Sequence, residues 1–298
     1  MTERPRRAAV LGHPIGHSKS PLLHRAAYQY LGFNCTYDAV DVPEEDAAAF
    51  AASLRAPRRG EPQWAGLSVT MPLKAALLPA MDNLSATAAD LQVLNTVTFE
   101  YTDTGVLLTG HNTDVAGIVN ALRHAGARSA PRVVILGAGG TACAAVAAAG
   151  RLGAAAVTVC ARRFPAGASG TAGVAEVGER TGTALELRPW TDAAAECAAA
   201  DVVISTLPPY AADGLADQLD AGPEAAAVPG AVLLDVAYNP WPSRIARAWT
   251  AQGGLIVPGL EMLLYQAVEQ VRLFTGTTFR DENAVTNVMC DAVGAPRR

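Results

Sequence analysis

Two stretches of this chain carry residue types at spacings suited to ligand chemistry. Gly12-His13-Pro14-Ile15-Gly16-His17-Ser18-Lys19-Ser20-Pro21 joins an apolar run, Ala8–Leu11, to a helical pattern, Pro21–Tyr30, stopped by Gly32. The spacing puts Ser20 at an N-cap and Pro21 at the first helical position. Two hydroxyls, Ser18 and Ser20, then stand at a helix N-terminus, where a carboxylate or phosphate is stabilised. Gly137-Ala138-Gly139-Gly140-Thr141-Ala142 is a glycine turn, whose backbone can approach a pyrophosphate closely. Two further positions suit proton transfer. Thr70-Met71-Pro72-Leu73-Lys74 opens a helix with Pro72 at its start, so Lys74 falls in the first turn, where the helix dipole disfavours a second positive charge. On spacing alone a solvated surface lysine is the default. In Gly110-His111-Asn112-Thr113-Asp114, Thr113 or Asp114 caps the helix that follows, Val115–His124; a catalytic carboxylate is the sharper alternative, and the two roles are compatible.

The elements that must position these residues alternate strand and helix. Ala8–Leu11, Cys35–Val40 and Trp64–Val69 read as strands, with helices over Pro21–Tyr30 and Glu44–Leu54. Arg58–Pro62 reads as a loop. Thr96–Glu100 and Val106–Thr109 form a hairpin around the glycine-containing loop Tyr101–Gly105. From Pro131 the pattern becomes that of a parallel sheet covered on both faces: strand Arg132–Leu136, the glycine turn, helix Ala142–Leu152 and strand Ala155–Cys160. Strand, glycine turn, helix and strand in sequence supply the context that a glycine motif needs. A unit built for NAD would place an acid about twenty residues beyond the glycines to take the ribose 2′-hydroxyl. This chain has Ala161-Arg162-Arg163 there, and no acid until Glu176. Two guanidiniums suit a 2′-phosphate, so NADP is favoured. Leu185–Leu187, Val202–Thr206, Val232–Asp235 and Leu255–Val257 supply further strands, and Ser205-Thr206 ends one of them on the side where ligands gather in open α/β sheets. Helices Leu260–Phe274 and Asp281–Ala292 follow the sheet and are expected to pack back on the first domain. Pro165–Gly173 reads as a surface loop.

The composition narrows the function class. With 298 residues, half of them hydrophobic, the chain can build two cores. A net charge of -5 and the lack of basic runs beyond Arg4–Arg7 argue against a nucleic-acid surface. The five cysteines form no CxxC pair and read as reduced thiols of a cytosolic protein. The first apolar run is too short for a signal-peptide core, and Arg151 interrupts the longest alanine-rich segment, so a soluble cytoplasmic protein is expected. His13, His17 and His24 do not read as a metal site, because no carboxylate or cysteine joins them at ligand spacing.

Over nearly its full length the chain resembles the shikimate dehydrogenase family. The resemblance is carried by Gly12–Pro21, Ser68-Val69-Thr70-Met71-Pro72-Leu73-Lys74, Asn95-Thr96, Asn112-Thr113-Asp114, Gly137–Ala142, Asp235–Pro240 and Gly259-Leu260-Glu261-Met262-Leu263-Leu264-Tyr265-Gln266. It implies an α/β fold of two domains: a substrate-binding catalytic domain from residues 1–113 and 259–298, and an inserted Rossmann-like NADP domain, 114–258. It implies that Ser18 and Ser20 hold a substrate carboxylate with Tyr238 nearby, that Thr70, Asn95, Asp114 and Gln266 bind ring hydroxyls, and that Lys74 and Asp114 form the catalytic pair. Gly137, Gly139, Gly140, Thr141, Ala142, Arg162, Arg163, Ser205, Thr206 and Gly259 would bind the cofactor. The implied reaction is the reversible NADPH-dependent reduction of 3-dehydroshikimate to shikimate, on the route to chorismate and the aromatic amino acids. The implied partners are this small-molecule substrate and no nucleic acid, metal or membrane, in a monomer or homodimer. Ser68 stands where many members have asparagine, which shortens the reach of that side chain. A quinate/shikimate dehydrogenase of a catabolic or secondary pathway is the alternative within the same fold, and a non-catalytic NADP-binding sensor is the alternative outside catalysis.

Overall fold

A computed structural model of the chain describes residues 5–55, 60–164, 173–220 and 228–298. Arg58 and Arg59 of the expected loop, and the expected loop Pro165–Gly173 apart from Gly173, lie outside the described residues. The chain divides into two compact units, 1–113 with 264–298, and 114–263.

The first unit opens with β1 (Arg6–Gly12), α1 (Ser20–Leu31) and β2 (Cys35–Asp41). A 3₁₀ turn, Glu44–Asp46, and α2 (Ala47–Leu54) follow in place of one continuous helix. Next come β3 (Gln63–Val69), the single turn α3 (Leu73–Ala76), β4 (Asn83–Leu84), α4 (Ala86–Leu91), and the hairpin β5 (Thr96–Thr102) and β6 (Gly105–His111). Its loop is tighter than expected: Thr102 pairs with Gly105, and the Thr102 hydroxyl donates to the Gly105 carbonyl at 3.0 Å. The strands form one sheet in the order β2-β1-β3-β5-β6-β4, with β5 antiparallel to both neighbours.

The second unit comprises α5 (Asp114–His124), β7 (Arg132–Leu136), α6 (Gly140–Arg151), β8 (Ala156–Ala161), α7 (Val174–Thr181), β9 (Glu186–Pro189), α8 (Ala193–Ala198), β10 (Val202–Ser205), α9 (Asp213–Asp220), β11 (Val232–Asp235), α10 (Arg244–Ala251) and β12 (Leu255–Pro258). All its strand pairs are parallel, in the order β12-β11-β10-β7-β8-β9. Counted from β7 this is 3-2-1-4-5-6, the doubly wound arrangement whose crevice opens where the order reverses, here between β7 and β10. Near-continuous apolar strands follow from cover on both faces. On one face Val134, Leu136, Val203 and Leu233 pack against α8, α9 and α10, with Trp249 fully buried among them. Helix α11 (Gly259–Thr275) then leads into α12 (Glu282–Val293), and the division between units falls inside α11, between Leu263 and Leu264.

Period-two alternation sorts the first unit's sheet. Leu67 and Val69 of β3 join the apolar cluster with α2 and α3, whereas Ser68 turns to the other face and bonds Gln270 of α11. On that second face His24 of α1 is fully buried, stacked on Tyr37 at 4.1 Å between ring centroids and near Phe274 at 5.6 Å. Burial holds its pKa down from 6.5 to about 3, with a hydrogen bond to Gln270 opposing. The folded state therefore binds fewer protons than the unfolded chain below pH 6.5, so this histidine withdraws stability as pH falls toward 3. The loss approaches about 1.4 kcal/mol per pH unit for one such group. Urea unfolding at pH 6.5, 5.5 and 4.5 checks it: wild type is expected to lose stability more steeply than His24→Gln, and parallel curves would contradict a neutral buried imidazole.

Candidate active site

The sheet of the first unit brings its polar motifs to one end. β1 and β3 are parallel neighbours, so the Gly12–Ser20 and Thr70–Lys74 segments leave the sheet side by side. β5 runs against β3 and pairs Thr96 with Ser68, so its N-terminal residue falls at the same end, beside the last residue of β6. Backbone bonds tie the exits together: Thr70 N–H donates to the Leu11 carbonyl at 2.8 Å, and Leu94 N–H to the Lys74 carbonyl at 3.0 Å.

Within this end, the structure joins Asn95, Thr113 and Gln266 directly. Asn95 Nδ2 donates to Thr113 Oγ1 at 2.9 Å and to Gln266 Oε1 at 3.3 Å, and Asn95 Oδ1 accepts from Thr113 N–H at 2.8 Å. All three are buried, so their partners are obligatory. Ser20 is the first helical residue of α1 and Lys19 its N-cap, which corrects the expected Ser20 cap. The cap position passes to Lys19 because its backbone turns helical there, and the Ser18 hydroxyl instead accepts from Ser20 N–H at 3.3 Å. The loop carrying both serines is braced by Asp41, whose carboxylate accepts from Ile15 N–H at 3.0 Å and pairs with His13 at 2.8 Å. That pairing holds the Asp41 carboxyl below its ordinary range. Thr70 and Lys74 are half-buried. The helix expected to act on Lys74 is one turn, Leu73–Ala76, and too short to sum a macrodipole, so the dipole does not disfavour the charge on this lysine as expected. Asp114 belongs to the second unit; it is buried and opens α5.

In the second unit, the carboxyl ends of β7, β8, β9 and β10 surround a cavity of about 740 Å³. Gly137 sits at φ +108°, and a Cβ there would lie 2.6 Å from Thr206 Oγ1. That hydroxyl is engaged, donating to the Leu136 carbonyl at 2.8 Å, so Thr206 holds the turn in shape. Gly139 is the N-cap of α6, which no side chain caps, and a Cβ on it would meet nothing within 4 Å. The first N–H groups of α6, from Gly140, Thr141 and Ala142, thus have no intrahelical partner and face a position fit for phosphate. Arg162 and Arg163 line the same cavity from the end of β8, and among the described residues no carboxylate lines it. These residues fit a dinucleotide with a 2′-phosphate.

Other residues named from sequence have different surroundings. Ser205 is buried at the end of β10. A Cβ on Gly259 would lie 2.2 Å from the Val236 carbonyl oxygen, so this glycine lets the start of α11 pack beneath the turn after β11. In that turn buried Asp235 accepts from Ser243 Oγ at 2.5 Å and Ala237 N–H at 3.3 Å, which shapes the backbone leading to half-buried Tyr238. Burial raises both the Asp235 carboxyl and the Tyr238 phenol. Trp190 and Leu207 line the cavity and were missed; a tryptophan just past a strand end was the available signal. Among the described residues no group of three or more His, Cys, Asp or Glu could hold a metal ion, and no helix is long and apolar enough to cross a membrane.

Comparison with known proteins identifies the family. Residues 10–97 match the family described as shikimate dehydrogenase substrate binding domain, and 259–279 the shikimate 5′-dehydrogenase C-terminal domain. A shikimate dehydrogenase (NADP(+)) from Rubrobacter xylanophilus is 36% identical over 269 residues, covering 90% of this chain and 89% of its own. The crystal structure of Mycobacterium tuberculosis shikimate dehydrogenase superposes with a TM-score of 0.79 at 36% identity, covering 96% of this chain and 100% of that one. Shikimate 5-dehydrogenase from Thermus thermophilus, solved in complex with NADP(H) and shikimate, gives a TM-score of 0.74 at 30% identity over 96% and 99% of the chains. With that extent of identity and an α/β architecture of two sheets, the chain belongs to the shikimate dehydrogenase family.

Proposed function

We propose that the protein is an NADP-dependent oxidoreductase that interconverts 3-dehydroshikimate and shikimate. The observation that carries the reading is membership of the family, and the sequence motifs that resemble it contain Ser18, Ser20, Thr70, Lys74, Asn95, Asp114, Tyr238 and Gln266. The first unit would bind the substrate and the second the cofactor. The hydroxyls of Ser18 and Ser20 take the ring carboxylate, with Tyr238 nearby. Thr70, Asn95, Asp114 and Gln266 hold ring hydroxyls through short polar groups, as a polyhydroxylated ring requires. When bound, NADPH supplies the hydride for the ketone carbon. Lys74 delivers the proton to the oxygen, so that ketone, hydride and proton sum to the alcohol, and Asp114 is the second member of the proposed catalytic pair. Arg162, with Arg163 beside it, takes the 2′-phosphate, while Gly137, Gly139 and the α6 amides hold the pyrophosphate. The described cysteines are all free thiols, in keeping with a reducing cytoplasm.

Steady-state rates for shikimate and quinate with each of NADP⁺ and NAD⁺ test substrate and cofactor together. The highest kcat/KM is expected for shikimate with NADP⁺. Greater efficiency with quinate and NAD⁺ would replace this reading by that of a quinate dehydrogenase.

A further inference from the structure

Behind Asn95 lies a chain of buried polar groups that the proposed reaction does not use. It begins at the Asn95 backbone carbonyl, which can only accept. Gln270 Nε2 lies 3.1 Å from it and therefore is the amide nitrogen, a donor. The same nitrogen donates to Thr96 Oγ1 at 2.9 Å. A hydroxyl has one proton, so Thr96, having accepted, gives its proton to Asn95 Oδ1 at 2.7 Å. At the other end of the amide, Gln270 Oε1 must accept. It does so from Ser68 Oγ at 2.7 Å, and Ser68 in turn accepts from Tyr37 O–H at 2.6 Å. His24 Nε2, 3.2 Å from Oε1, must carry its proton there, leaving Nδ1 to accept from Tyr28 O–H at 3.2 Å. Each of these residues from Tyr37 and His24 to Asn95 is buried.

We infer that Gln270 and Thr96 are positioning residues: the directed series Tyr37, Ser68, Gln270, Thr96 fixes the side-chain amide of Asn95 so that its nitrogen points to Thr113 and Gln266. The inference rests on the proposed role of Asn95 in substrate binding. An asparagine amide can present either end; in this orientation its two N–H groups reach Thr113 Oγ1 and Gln266 Oε1, so a ring hydroxyl that accepts from Asn95 takes the place of one of these two acceptors. Two donors, Thr96 O–H and Thr113 N–H, converge on Oδ1 and hold the nitrogen toward Thr113 Oγ1 and Gln266 Oε1. With its oxygen turned inward to Asn95, Gln266 directs its own amide nitrogen elsewhere. The short side chain of Ser68 is what leaves Gln270 its acceptor contact: the hydroxyl fills the gap between Tyr37 and Gln270 and relays a single direction of donation.

Thr96→Val keeps shape and removes the relay, Thr96→Ser keeps the hydroxyl, and Asn95→Ala tests the group being positioned. Steady-state kinetics with shikimate and NADP⁺, with thermal unfolding alongside, is expected to give an approximately tenfold rise in the KM for shikimate for Thr96→Val. Its kcat and its KM for NADP⁺ should stay within about threefold, the pattern of lost uniform binding. Thr96→Ser should return the KM for shikimate to within about twofold, even where its melting temperature differs as much as that of Thr96→Val. Equal KM for both Thr96 variants would show a packing role and overturn the inference. A rise for Asn95→Ala with none for Thr96→Val would overturn it while leaving the site reading in place; no rise for Asn95→Ala would overturn both.

Discussion

Replacing Lys74 with alanine is expected to lower kcat by about three orders of magnitude, since a positioned general acid contributes roughly 10²–10⁴. NADPH affinity should be nearly unchanged, because the groups proposed to hold the cofactor belong to the second unit and Lys74 to the first. Alanine retains the backbone carbonyl that accepts from Leu94 N–H, and circular dichroism of the variant checks that the fold survives. Single-turnover rates with 3-dehydroshikimate, together with fluorescence titration of NADPH, separate the two effects. A kcat within tenfold of wild type would remove Lys74 from the proton step.

Charge reversal at Arg162 should act on the other half of the reaction. Arg162→Asp is expected to weaken NADP⁺ by about 100-fold or more, because a charge-assisted bond to phosphate contributes about 1.5–3 kcal/mol and the new carboxylate repels the 2′-phosphate as well. NAD⁺, with a hydroxyl in that place, should change by less than about fivefold. The arginine is exposed at a strand end, so stability should stay within about 0.5 kcal/mol. Calorimetric titration with each nucleotide reads the ratio, and equal losses would argue against 2′-phosphate recognition by this side chain.

Local rules carried the sequence reading a long way where the signal was itself local. The apolar runs Arg132–Leu136 and Val232–Asp235 appear as β7 and β11 with the expected bounds, because strands buried on both faces leave little choice of residue. Helices α7 to α10 have no separate mark in the sequence, since short helices of six to eight residues show little periodicity. The two-residue strand β4 and the six-residue α4 were missed for the same lack of length. Lys74 shows a subtler failure. Pro72 marks a helix start in the sequence, but a second proline, Pro79, stands just beyond Leu77 and the helix ends after one turn, so no long helix dipole acts on Lys74.

The sequence by itself determined the two glycine-bearing and serine-bearing motifs, the absence of an acid after β8, and the alternation that makes two α/β sheets, because each depends on residues near one another in the chain. Only the tertiary structure decided the reversal of strand order between β7 and β10, which opens the cavity that Arg162 lines. It also decided the hydrogen-bond direction at Asn95. Gln270 is 175 residues from Asn95 in the chain, and one more glutamine on an amphipathic helix carries no mark of the carbonyl it will meet. The Gly12–Pro21 stretch illustrates both sides: its residue types already specified an anion site, whereas the change of cap from Ser20 to Lys19 and the brace from Asp41 arise from the path the backbone takes once β1 and β2 are paired.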